Sequence, residues 1–335
     1  MTVNVKKVVL FLGLTFTSTY LLAFVYFRAG GTVTSPDILI FGVTYMFMPA
    51  LCAVVVQKFI YKEPLKKPLR INFRPNRWFV VAWLLPLLIA VATFWVALLF
   101  PGVTFSPDKQ DNFRYLLLKP KHFGFEIETN RYVWAVFLTL LQGLVTGISV
   151  NALAGFGEEL GWRGFLQREL GGLGFWRAST IIGVVWGLWH APLIVQGFNF
   201  PEHPWMGVFL MAVGSTLLAP LFAYVCLKAN SVIAAAIFHG TFNGMSVLAT
   251  MGLDGGNDLL VGGTGLAGFL VLVVANLGMV VFDRWFGGQA ITRGFALAAT
   301  AADSSNGIAE PVNVNPKGGF GELGRLRDSN RNPMG

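Results

Sequence analysis

Two adjacent carboxylates, Glu158 and Glu159, stand at the end of a long apolar run, and Arg163 follows Glu159 by four residues. Two of the chain's four histidines, His190 and His239, lie inside other apolar runs, and Asn243 follows His239 by four. Ionisable groups at membrane depth are costly, so function is the default hypothesis for them. A Glu and a His can share a water, with the Glu taking its proton as general base. Two carboxylates side by side in a poorly hydrated place resist ionising together. Arg163, one helical turn after Glu159 and in the favourable order for an ion pair, keeps Glu159 charged and leaves Glu158 as the proton carrier. His239 and Asn243, aimed at one point, are donors able to stabilise a developing oxyanion. General base, activated water and oxyanion donors together describe hydrolysis of an amide. The metal version of the same site is a zinc held by His190, His239 and Glu158. No HExxH is present and the spacing does not fix a third ligand, so the expectation is no cofactor, with zinc as the alternative.

These residues need elements that bring them together. Trp186 and His190 are four apart, as are His239 and Asn243, so each pair projects one way from its helix. Small residues accompany each group at four-residue spacing: Gly157 and Gly161, Gly183 and Gly187, Gly240 and Gly244. Such pairs let helices pack closely in a membrane, which would draw the polar side chains into one cavity.

The composition sets the solvent. Of 335 residues, 54% are apolar and only 13% charged, against about a quarter charged in an ordinary soluble domain. This predicts an all-α, polytopic membrane helical bundle of about eight transmembrane helices, near 8–27, 37–59, 78–100, 132–156, 178–197, 205–228, 231–252 and 259–284. The sixth and seventh form a tight hairpin around Ala229 and Asn230. The net charge of +8 does not point to nucleic acid. It is concentrated in Lys58, Lys62, Lys66, Lys67, Arg70, Arg74 and Arg77, a short loop that reads as cytoplasmic and in reach of anionic lipid. With that loop inside, the mixed-charge stretch 101–131 falls outside, a short helix starting at Glu158 with Arg163, Arg168 and Arg177 is cytoplasmic, and both termini are cytoplasmic. Cys52 and Cys226 lie in apolar segments without metal spacing and read as small core residues. The chain divides into N-terminal helices over 1–130, a catalytic membrane core over 131–286, and a tail over 287–335 too polar and glycine-rich to order.

Glu158-Glu159 with Arg163 resembles the EExxxR motif of the CPBP family (CAAX proteases and bacteriocin-processing enzymes, also called ABI), which includes the Ras-converting prenyl-protein protease. Trp186 through His190 is similar to that family's second motif, an aromatic residue, usually Phe, four before a His. His239 through Asn243 resembles the third, HxxxN. The three occur in family order across about 130–250. The resemblance implies an intramembrane endopeptidase in which Glu158 and His190 activate the water, His239 and Asn243 form the oxyanion hole, and Glu159 and Arg163 support the site. It also implies a peptide or lipidated peptide as substrate, from prenylated CAAX ends to peptide leaders, and membrane lipid as surroundings. The oligomeric state is unread. A bacterial inner membrane is the simplest setting. Two other classes use similar residues: a non-catalytic immunity or scaffold protein that holds a peptide, and a proton-coupled transporter. The first would use the same cavity but tolerate loss of Glu158, and against the second no paired inverted halves are visible.

Overall fold

The computed structural model describes residues 3–107, 131–287 and 290–292. His122, most of the expected exterior stretch 101–131 and nearly all of the tail 287–335 lie outside the described residues. The elements are helices α1 (Val5–Arg28), α2 (Ile38–Val54, continued by a π-helical turn Val55–Ile60), α3 (Arg77–Ala97) and α4 (Arg131–Gly147). Then follow α5 (Val150–Glu159), which runs through a π-helical segment Leu160–Leu166 into α6 (Gln167–Glu169), and α7 (Phe175–Trp189). The last are α8 (Ala191–Ile194), α9 (Pro204–Ala229), α10 (Val232–Met245) and α11 (Leu266–Trp285). Among the described residues, six helices are long and apolar enough to cross a membrane, and a seventh crossing is a bent pair. The chain is an integral membrane protein with a polytopic helical-bundle fold.

Two elements depart from the expected spans, each for a local reason. The expected fourth span breaks at Ile148 and Ser149, and its halves meet at 49°. Near the break Thr146 and Ser149 donate their hydroxyls back to the Gln142 and Val145 carbonyls, a pattern that bends helices. Gly147 lies against Thr241 of α10, where any Cβ would collide. As a result Glu158 does not begin a short exposed helix. It sits within a helix that starts at Val150, and Glu158, Glu159 and Arg163 are all buried. The expected fifth span stops early: α7 has 15 residues, roughly 22 Å at the usual rise. Pro192 ends it, because a proline has no N–H to give the Leu188 carbonyl four residues back.

The expected hairpin is present. Asn230 caps α9 in the left-handed conformation (φ 48°), and the Ser231 hydroxyl accepts the Ile233 N–H to start α10. The paired glycines mark close helix contacts, as their spacing predicts. A Cβ on Gly157 would lie 2.6 Å from the Met46 carbonyl oxygen, and one on Gly161 2.5 Å from the Pro49 side chain, so both seat α5 and its π-helical continuation on α2. Gly183 and Gly187 seat α7 on α9 at Thr216 and Ala212, while Gly240 and Gly244 seat α10 on α4 and α5 at Gly147, Asn151, Ala152 and Gly143. Cys52 and Cys226 are buried and free.

At the end of the bundle that carries the basic loop, Lys7 is buried between Glu63 (2.7 Å) and Glu169 (2.9 Å), and Arg168 lies 3.0 Å from Glu63. Burial pushes the Glu63 carboxyl up, but its hydrogen bonds with Lys7 and Arg168 outweigh this and hold it below the usual carboxylate value. This network pins α6, and therefore the glutamate-bearing helix, to α1 and to the loop after α2. At the other end, Thr104–Phe105 pairs antiparallel with Leu253–Asp254.

Candidate active site

Six of the residues singled out by sequence are Glu158, Glu159, Arg163, His190, His239 and Asn243, and the structure gathers five of them around Trp186. Glu158 and Glu159 end α5, and Arg163 lies in the π-helical segment that follows. Short π-helical insertions are uncommon and occur often at functional sites. His190 ends α7, and His239 lies in α10, the helix seated against α5.

Glu159 is fully buried and doubly engaged. Its Oε1 accepts from Arg163 Nη1 at 3.0 Å and from His239 Nδ1 at 2.8 Å. His239 reaches it because Gly155 has no side chain: a Cβ there would lie 3.0 Å from the His239 Cβ. The Arg163 guanidinium carbon lies 4.4 Å from the ring centre of Trp186 and 4.5 Å from that of Phe222. A cation removed from water is thus held by one carboxylate and two aromatic faces.

Glu158 is buried but less committed. Its Oε2 accepts the Trp186 indole N–H at 2.6 Å, and its Oε1 lies 3.9 Å from His239 Nε2. That gap is too long for a direct hydrogen bond. His190 Nδ1 contacts the Trp186 carbonyl at 2.8 Å. A carbonyl can only accept, so this ring carries its proton on Nδ1 and leaves the Nε2 lone pair free. The same reasoning puts a proton on His239 Nδ1 against the Glu159 carboxylate. The ring centres of His190 and His239 stand 5.9 and 5.6 Å from that of Trp186.

Asn243 is the residue not gathered in. It lies one turn beyond His239 on α10 with its side chain exposed, and among the described residues it forms no side-chain hydrogen bond to the cluster. Two contributors escaped the sequence reading. Trp186 stands where the resembling motif usually has Phe, and an aromatic role alone was expected of it. The indole N–H that Phe lacks is what fixes Glu158. Phe222 comes from α9, which carries no motif, so nothing in the sequence marked it. Trp186→Phe keeps a ring beside Arg163 and removes the donor. Its expected outcome is a loss of about 1.5–3 kcal/mol of stability, the range for a hydrogen bond to a charged group, read from unfolding curves in detergent.

Among the described residues, no group of three or more His, Cys, Asp and Glu side chains is arranged to hold a metal ion. His190, His239 and Glu158 do not form such a group. Each histidine engages Nδ1 with a protein partner and Glu158 engages Oε2 with Trp186, so the two Nε2 atoms and Glu158 Oε1 are the atoms that would hold a zinc or a water.

Residues 132–245, from the first turn of α4 to the end of α10, match the family model described as type II CAAX prenyl endopeptidase Rce1-like. Over this core the chain is similar to CAAX proteases. All six candidate residues and Trp186 lie within the matched residues. The chain is also similar to a CAAX prenyl protease 2 from Methanococcus maripaludis, 32% identical over 128 residues, which is 36% of this chain. The match spans 42% of that relative's length, less than half of it. The helices before residue 132, which carry no motif, fall outside the matched core.

Proposed function

We propose that this membrane protein is an endopeptidase of the CAAX protease type, hydrolysing a peptide bond in a membrane-associated, CAAX-like or leader peptide. The observation that carries the reading is the division of labour between the two glutamates. Glu159 Oε1 is held by both Arg163 and His239, while Glu158 gives one oxygen to Trp186 and keeps the other, Oε1, without a hydrogen bond 3.9 Å from His239 Nε2.

In this reading Glu158 Oε1 takes a proton from a water that also donates to His190 Nε2, and the resulting hydroxide attacks the scissile carbonyl. Trp186 holds the other Glu158 oxygen and the His190 ring at once, so base and water-orienting group share one anchor. The carbonyl oxygen becomes an oxyanion. His239, flanked by both carboxylates, donates to it from Nε2 when that nitrogen is protonated, and Asn243 adds a second donor from the next turn. Glu158 then returns its proton to the leaving amine, as microscopic reversibility requires of a group that first acts as base. Every step uses this chain's own side chains, and none is routed through a metal. The basic loop over 58–77 supports a cytoplasmic side for itself and, two crossings back, for the N-terminus.

The test is cleavage by the full chain in lipid nanodiscs of a panel of prenylated and unmodified CAAX-ended peptides, with products mapped by mass spectrometry. A new product made by the native protein, lost in His190→Ala and retained with strong chelators, is expected. If the native protein generates no cleavage product from any peptide in the panel, the proposal fails. If chelation abolishes cleavage, the carboxylate mechanism fails.

A further inference from the structure

α7 ends inside the apolar part of the chain, and a helix end there must satisfy its last carbonyls without water. Three carbonyls are left without their usual helical partners. The His190 N–H bonds Gly187, not Trp186; Pro192 has no N–H for Leu188; and the Leu193 N–H bonds His190, not Trp189. Each orphan is taken by a side chain. His190 Nδ1 meets the Trp186 carbonyl at 2.8 Å, the Tyr20 hydroxyl donates to Leu188 at 2.8 Å, and the Tyr45 hydroxyl donates to Trp189 at 2.6 Å. Of the two tyrosines, Tyr45 is the buried one.

Tyr45 also lies where it can set a distance. Its ring packs at a 44° tilt against Trp189 (centres 4.4 Å apart), and Trp189 lies against His190 (4.8 Å). The residues just after it, Met46, Phe47 and Pro49, are those on which Gly157 and Gly161 rest with no room for a Cβ. α2 is therefore wedged between the helix that bears Glu158 and the helix end that bears His190. One of its faces is fixed by glycine contact and the other by the Tyr45 hydroxyl.

We propose that Tyr45 is a positioning residue that holds His190 at its working distance from Glu158, so that α2, outside the matched core, completes the active site. The proposal deepens the hydrolase reading of the same site and rests on it. It also explains why a terminated helix is tolerated here: the Pro192 break frees the carbonyls that Tyr20 and Tyr45 use to lock the turn carrying His190.

The experiment uses the full chain in nanodiscs with Tyr45→Phe, and with p-aminophenylalanine at position 45 to restore an N–H donor. Tyr45→Phe is expected to lower kcat about tenfold with KM little changed, since a misplacement of about 1 Å at a reacting group costs on the order of 10²-fold. The p-aminophenylalanine variant should recover most of that rate. Nitrogen-15 spectra of labelled histidine give the second readout: the His190 Nδ1–H signal should shift in Tyr45→Phe while that of His239 stays. Native kcat with an unshifted His190 signal overturns the proposal. So does a loss of rate with His190 unshifted, or a collapse of both histidine signals, which marks a general structural role. If the native chain cleaves no peptide, the hydrolase reading fails, and the spectra alone decide whether Tyr45 orders the His190 ring.

Discussion

Glu158→Gln is expected to lower peptide hydrolysis by about 10²–10⁴-fold, the range for removing a general acid–base group, with little change in melting temperature. The glutamine carbonyl can still accept the Trp186 indole N–H, so the 2.6 Å anchor survives. What is lost is the second oxygen, which lies 3.9 Å from His239 Nε2 without a hydrogen bond of its own. An amide cannot take the proton of a water, nor return it to a leaving amine. Because the change is nearly isosteric and keeps the one strong contact, fold and chemistry separate cleanly in this variant. Peptide affinity, followed by fluorescence anisotropy, should stay near the native value. A Glu158→Gln protein that still hydrolyses peptide at the native rate would remove Glu158 from the mechanism. Unimpaired function of that variant in cells would favour a protein that holds peptides without cutting them.

Arg163→Met is expected to produce the largest loss of stability, about 3–5 kcal/mol, the cost of leaving one partner of a buried ion pair unpaired. Arg163 and Glu159 are both completely buried. Removing the cation leaves a desolvated carboxylate held in the cluster by His239 at 2.8 Å, and opens the space between Trp186 and Phe222. The double variant Glu159→Met, Arg163→Met should be less damaged than the sum of the single changes, because neither charge is then stranded. It should nonetheless lose hydrolysis, since the His239 ring would have no acceptor to fix its orientation. Unfolding curves for the three variants, together with single-turnover cleavage, check both parts. Additive losses would mean that the two charges do not stabilise each other.

Much of this arrangement could be read in the chain. Scarce charge and long apolar runs gave a helical membrane bundle, because each backbone polar group in hydrocarbon must be satisfied within the segment. The four-residue spacing of Glu159 and Arg163 put them on one face, and the 3.0 Å contact agrees. The glycine pairs marked close helix approaches, and each pair proves to seat one helix on another. Asn151 adds a contact no pattern announced, donating to the Gly240 carbonyl at 3.3 Å across that same interface.

What was not legible depended on contacts distant in sequence. A hydropathy window sees the run 132–156 as one span, since the hydroxyl back-bonds and the Thr241 contact that bend it are not apolarity differences. The same window reads 178–197 as continuous, although the missing Pro192 N–H stops the helix at His190. Motif reasoning treated Trp186 as a ring and passed over its N–H, because only the position of Glu158 on another helix gives that donor a purpose. Asn243 shows how far helical phase alone reaches. Its helical phase matches His239, yet phase fixes direction only approximately, and the side chain remains exposed beside the cluster.

By itself the sequence determined the solvent, the helices, the ionisable residues that had to be buried and the small residues that would let them meet. The tertiary structure decided which glutamate meets Arg163 and His239 and which meets Trp186, which histidine nitrogen is left available, and that α2 is wedged between their helices. These depend on distances of about 3 Å, the length of a hydrogen bond, some of them between residues as far as 28 and 144 positions apart. Spacing along a helix fixes the face on which a side chain lies, and only packing between helices fixes what that face meets.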